Sequence, residues 1–223
     1  MKRTNATLIL LSIMLVLALT GCDVIKSVTT DTAKNITTGS FEGNTYTNEY
    51  FGLSFTVPDG WTIATKDEMK QIFQAGADAI GSDDEETEKK LKLAEAKTLY
   101  LAYALKHPLD YADGFNPNIN AVCENLSVAG LVIKTSGDYM DAAIKNLASA
   151  MEGYTFSDAQ TKTIAGAEFS VVDAVLDYSG VEIKQQLVCT LKNNYAILFT
   201  LTYLEDAEMD ELQKIVDSIS FGK

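Results

Sequence analysis

Apolar positions recur along this chain in one uninterrupted run, several period-two alternations and several helical stripes. Leu8 to Leu19 is apolar except for Ser12. From Tyr50 onward, Phe51, Leu53, Phe55 and Val57 alternate with Gly52, Ser54 and Thr56, which predicts a strand with one apolar face. Pro58-Asp59-Gly60 predicts a turn, after which Trp61 and Ile63 resume the alternation. Thr65 and Glu68 have capping-box spacing ahead of a helical stripe of Met69, Ile72 and Phe73. Ser82-Asp83-Asp84-Glu85 repeats that start signal, and Glu85, Glu86 and Glu88 precede Lys89, Lys90 and Lys92 in the favourable helix-surface order. Leu99, Leu101, Tyr103 and Leu105 predict a strand with those four residues on one face. Ile119–Val128 predicts another strand, and Asp138–Met151 an amphipathic helix.

The last third reads as a meander. Strands are predicted over Tyr154–Ile164, Glu168–Tyr178, Val181–Lys192 and Tyr195–Leu204. Ser179-Gly180 and Asn193-Asn194 join the last three, and both pairs tolerate the positive φ that tight hairpins demand. YAILFTLTYL, from Tyr195, is apolar on both faces, as a strand covered on both sides would be. Met209, Leu212, Ile215, Val216 and Ile219 predict a closing helix. Hairpin-linked strands with helices on both faces imply an α+β layered sandwich around a mostly antiparallel sheet.

The leading apolar run is about a dozen residues long, the length of a signal-peptide core and short of the roughly 20 that span a bilayer as a helix. Lys2 and Arg3 precede it, and it ends in Leu19-Thr20-Gly21-Cys22. An ordinary secretory site wants small residues at −3 and −1, whereas Leu19 occupies −3 here. The tetrapeptide instead resembles the bacterial lipobox. That resemblance implies diacylglyceryl transfer to the thiol of Cys22, cleavage before it, and attachment to the membrane through lipid on Cys22. Asp23 in the next position resembles the signal for inner-membrane retention in a cell with two membranes. The expected organisation is a lipoprotein signal peptide at 1–21, a lipidated cysteine and flexible tether at 22–48, and one domain at 49–223. The tether reading rests on the Thr-, Ser-, Asn- and Gly-rich stretch from Asp23 to Asn48.

Charge narrows the partners. The 223-residue chain has a formal net charge of −13, and loss of Lys2 and Arg3 with the leader makes it −15. Such an acidic body is not expected to bind nucleic acid or to adhere electrostatically to anionic lipid. Cys123 and Cys189 remain once Cys22 is assigned, with no metal-binding spacing. They are expected as buried, unpaired thiols.

YTNEYFGLSFTVPDGW, FNPNINAVCENLS, a following helix, and a meander ending in YAILFTLTYLED before SISF resemble the PsbP-like superfamily over roughly residues 46 to 221. The resemblance implies a PsbP-like α+β fold and a binding role. The superfamily includes a photosystem accessory subunit, a nuclear-import factor that binds a small GTPase, and many bacterial lipoproteins. It carries no catalytic residue over to this chain.

Candidate chemistry is sparse. His107, the sole histidine, precedes Pro108 and has no G-x-S-x-G elbow to serve. Asp110, Asp113 and the asparagines around Pro117 could line a polar pocket or simply cap a loop. Tyr111, Phe115 and Trp61 could form a contact patch or anchor that loop to the core. The acidic Asp83–Glu86 run lacks the calcium-loop pattern and reads as a solvated helix start. No catalytic residue, no metal site and no cofactor is expected. The expected function is a non-catalytic, lipid-anchored binding or scaffolding module with a protein partner at the outer face of the bacterial plasma membrane. The alternatives are a small-molecule-binding lipoprotein for transport or sensing, and, less favoured, a hydrolase.

Overall fold

A computed structural model describes residues 36–80, 98–126 and 133–222. Cys22, the leader and the charged 82–92 segment lie outside the described residues. A short sheet joins β1 (Ser40–Glu42), β2 (Thr45–Asn48), β3 (Leu53–Thr56) and β12 (Ser220–Phe221), in the order β1-β2-β3-β12. The larger sheet contains β4 (Thr62–Ile63), β5 (Thr98–Leu105), β6 (Asn118–Asn125), β7 (Tyr154–Phe156), β8 (Gln160–Ile164), β9 (Ala167–Tyr178), β10 (Val181–Lys192) and β11 (Tyr195–Tyr203). Its order is β4-β5-β6-β11-β10-β9-β7, with β8 also on β9, and the pairings among these described strands are antiparallel.

Three helices are described: α1 (Lys66–Ile80), α2 (Ser136–Ala150) and α3 (Asp206–Asp217). Met69, Ile72 and Phe73 of α1 share a core with Tyr139, Met140, Ala143 and Leu147 of α2, against Val122, Leu187 and Leu198 of the sheet. The opposite face packs Ile119, Val188, Ile197 and Phe199 against Tyr46, Leu53 and Phe55 of the short sheet and Leu212, Ile215 and Val216 of α3. The expected layered sandwich with an antiparallel sheet and helices on both faces is therefore present. β11 lies between these two layers and is buried at every position.

Local chemistry explains the elements. Thr65 and Glu68 close a capping box at the head of α1, with Thr65 N donating to Glu68 Oε2 at 2.7 Å and Glu68 N to Thr65 Oγ1 at 3.3 Å. Thr135 and Asp138 do the same for α2. At the hairpins, Ser179 and Gly180 have φ of 54° and 82°, and Asn193 and Asn194 have 51° and 64°. Those values match the primed turns that suit the right-handed twist of paired strands.

Three expectations are corrected. The tether does not extend to residue 48: β1 and β2 belong to the folded body, with Tyr46 fully buried. Tyr46 stacks on Phe55 at 4.8 Å, and Phe41 meets it edge-on at 5.4 Å. Thr- and Asn-rich composition suggested a linker, but alternate side chains of a hairpin need only one aromatic each to seat it on a core. Tyr154–Ile164 is two strands, β7 and β8, separated at residues 157–159. Finally, Leu99, Leu101, Tyr103 and Leu105 do not share a face. A register shift between Tyr100 and Ala102 reverses the parity, so Leu99 and Leu101 face the short sheet while Tyr103 and Leu105 face α1 and α2. One extra residue in a strand flips every side chain beyond it.

Candidate functional site

The polar residues that stand out in this fold are interior ones, on the sheet face beneath α1 and α2. β6 directs Asn118, Asn120, Val122 and Glu124 to that face, and β11 directs Thr200 and Thr202 there beside Leu198. Asn118 opposes Thr202 and Asn120 opposes Thr200, giving a two-by-two polar block on the central strands. Each of the four is at most 1% exposed.

Hydrogen bonds lead to this block from both sides. From one edge, Tyr154 Oη donates to Gln185 Oε1 at 2.9 Å, and Gln185 Nε2 donates to Thr202 Oγ1 at 3.3 Å. From the other, Asn118 Nδ2 donates to the Asn116 carbonyl at 2.9 Å. Asn116 clasps the preceding loop, its Oδ1 accepting from His107 N at 2.9 Å and its Nδ2 donating to the His107 carbonyl at 3.0 Å. Asn118 Oδ1 and Thr200 Oγ1 are buried without a hydrogen-bond partner. The block is uncharged, and its open atoms are the Asn118 amide oxygen, an acceptor, and the Thr200 hydroxyl, which can donate or accept, a set suited to a small neutral polar group.

Further along β6, Glu124 is 2% exposed, and Tyr139 Oη of α2 donates to its Oε2 at 3.0 Å. Burial, reinforced by the neighbouring Glu124 carboxylate, holds the Tyr139 hydroxyl well above its ordinary pKa. The pair ties α2 to the central strand. Burial likewise raises Cys189 and, to about 12, Cys123. Neither thiol has the depressed pKa of a nucleophile.

The sequence-derived candidates are dispersed. The His107 ring stacks on Tyr111, with centroids 4.2 Å apart. Asp110 and Asp113 are exposed, and among the described residues no group of three His, Cys, Asp or Glu side chains could hold a metal ion. Asn116 acts as the loop clasp, Trp61 belongs to the core, and half-buried Phe115 packs near Leu176 and Ile183. The charged 83–86 run lies outside the described residues. Sequence reading missed Asn118, Asn120, Glu124, Thr200, Thr202 and Gln185 as a set. Their signal is the alternation of polar side chains with Ile119, Ala121 and Cys123 in β6 and with Phe199 and Leu201 in β11. By itself the β6 pattern describes a solvated face, and two threonines in an otherwise apolar β11 mark no site.

The chain matches no protein-family model and no curated protein. Among solved structures it is similar to cyanobacterial PsbP (CyanoP) from Synechocystis sp. PCC 6803, with a TM-score of 0.50, 16% identity, and coverage of 82% of this chain and 98% of that one. It also aligns with LpqN, a protein involved in cell envelope biogenesis of Mycobacterium tuberculosis, at TM-score 0.43 and 14% identity, over 75% of this chain and 82% of LpqN. A Bacteroides thetaiotaomicron structure aligns at TM-score 0.41 and 12% identity, over 82% of this chain and 50% of its own length. The fold of this protein is the PsbP-like α+β sandwich.

Proposed function

We propose that the protein is a lipid-anchored, extracytoplasmic binding or scaffolding module without catalytic activity. The observation that carries this reading is Leu19-Thr20-Gly21-Cys22 directly after a short apolar run, ahead of a PsbP-like domain. Lipid on Cys22 would hold an acidic body at the outer face of the plasma membrane, since two or more acyl chains anchor stably where one does not. The interior polar groups support a non-catalytic role. Asn116 is spent on a loop clasp, Tyr139 on Glu124, and the His107 ring on a stack with Tyr111. The test is detergent-phase partitioning of the wild type and Cys22→Ser in the native host. Loss of mature protein from the detergent phase supports the anchor, whereas retention as an uncleaved precursor would assign anchoring to the apolar run itself. Crosslinking in intact cells, followed by capture through the domain, then identifies the partner.

A second reading, a small-molecule-binding lipoprotein, is favoured by the unpartnered Asn118 Oδ1 and Thr200 Oγ1. Mass spectrometry of protein purified without denaturation distinguishes it: this reading requires a small molecule that copurifies and is released on unfolding.

A further inference from the structure

We infer that the polar block between β6 and β11 is an internal hydration site, in which one buried water joins Thr202, Asn118 and Thr200. Two hydrogen-bond chains approach each other there and do not meet. The first runs from Tyr154 through Gln185 to Thr202 Oγ1, which accepts from Gln185 and retains its own proton to donate. The second runs from the His107 loop through Asn116 to Asn118, whose amide nitrogen is turned to the Asn116 carbonyl. That orientation leaves Asn118 Oδ1 open as an acceptor beside Thr202, its direct cross-strand neighbour.

The joining group must accept a proton from Thr202 and donate one to Asn118 Oδ1. Water does both, and its second proton has an acceptor in Thr200 Oγ1, two residues along the same face of β11. Directly opposed side chains in a sheet have Cβ atoms roughly 5 Å apart, so short polar side chains at three corners of the block can converge on one small molecule. Three partners is the usual coordination of a buried water. Without it, two buried acceptors would each cost about 1–3 kcal/mol. Once joined, the chain couples the 107–117 loop on one side of the sheet to β7 on the other.

A high-resolution crystal structure of the domain tests the site directly. The expected result is a single water within hydrogen-bond distance of Asn118 Oδ1, Thr200 Oγ1 and Thr202 Oγ1. Density for a larger molecule would overturn the inference in favour of a ligand site, and a dry block would overturn it outright. Thr200→Val adds an independent sign, because valine keeps the shape and removes the hydroxyl. If water is bound, the denaturant midpoint falls and the unfolding equilibrium constant rises several-fold. If the block is dry, removing an unsatisfied oxygen raises the midpoint, and the inference fails.

Discussion

Cys123 and Cys189 point to opposite faces of the large sheet, with β11 running between their strands. Cys123 opposes Ile197 and packs with the short sheet, while Cys189 opposes Leu198 and packs beneath α1 and α2. Two strand spacings amount to roughly 10 Å, beyond the roughly 7 Å Cα separation a disulfide tolerates. Both thiols are free and buried, as expected from the sequence. Titration without reductant, on protein carrying Cys22→Ser, should show little reaction when native and two thiols after unfolding. Absence of reactive thiols after unfolding would contradict the structure.

Burial also sets an alkaline limit on stability. Cys123 is pushed from an ordinary 9.0 to about 12, and Tyr46 from 10.0 to about 12, in both cases chiefly by desolvation. The folded state therefore holds these protons more tightly than the unfolded state. Their contribution is full below pH 9 and is lost as pH rises toward 12. Urea midpoints should be flat just below that window and fall steeply within it. Cys123→Ala should make the fall shallower while Cys189, raised from the same ordinary value, keeps its onset; Cys123→Ala with Cys189→Ala should move the onset toward the range where tyrosine titrates.

The β1–β2 hairpin should be indispensable despite its linker-like composition. A chain beginning at Ile36 retains Tyr46, whose Oη donates to the Thr38 carbonyl at 2.9 Å, and Asn48, whose Nδ2 donates to the Thr37 carbonyl at 2.9 Å. A chain beginning at Glu49 exposes Phe55 and one edge of β3. Loss of a buried aromatic alone costs about 3–5 kcal/mol. The shorter chain should unfold or aggregate, and circular dichroism with size exclusion would show it. Equal stability of the two chains would restore the tether reading.

Tyr139→Phe should destabilise the domain by about 1.5–3 kcal/mol, the usual worth of a hydrogen bond to a charged group. Phenylalanine keeps the ring in its buried place and removes only the donor to Glu124. In a double-mutant cycle with Glu124→Gln, urea denaturation should give a coupling of about 1 kcal/mol or more. Additive effects would mean that the contact contributes nothing.

The cap of α2 gives an acid-side prediction. Asp138 Oδ2 accepts from Lys134 N and Thr135 N, both at 2.9 Å, and these bonds lower its pKa. Stability from a depressed carboxylate is present above its unfolded pKa and is lost as pH falls through the folded one. Asp138→Asn should therefore weaken the domain at neutral pH and flatten its acid dependence. Thr135→Ala should cost about 1 kcal/mol at neutral pH. Thermal melts from neutral to acid pH would check both.

Local signals in the sequence sufficed for much of this molecule. The meander from β9 to β11 was legible because each strand is a β-branched- and aromatic-rich run contained in its own length, and Ser179-Gly180 and Asn193-Asn194 accept left-handed backbone. α1 was legible from its capping box and apolar stripe, both contained within a few turns. The resemblance of Leu19-Thr20-Gly21-Cys22 to a lipobox is likewise carried by a local stretch. Tertiary structure decided which faces those elements bury. The bulge near Leu101 reverses strand parity without leaving a composition signal, and the β1–β2 hairpin is recruited by Phe55 and the core beneath it. Asn118, Glu124 and Gln185 look solvent-facing in sequence and are interior because α1 and α2, separate elements along the chain, cover that face. Polar alternation along a strand distinguishes its two faces. Whether water or another layer meets the polar face depends on long-range packing, which no local window contains.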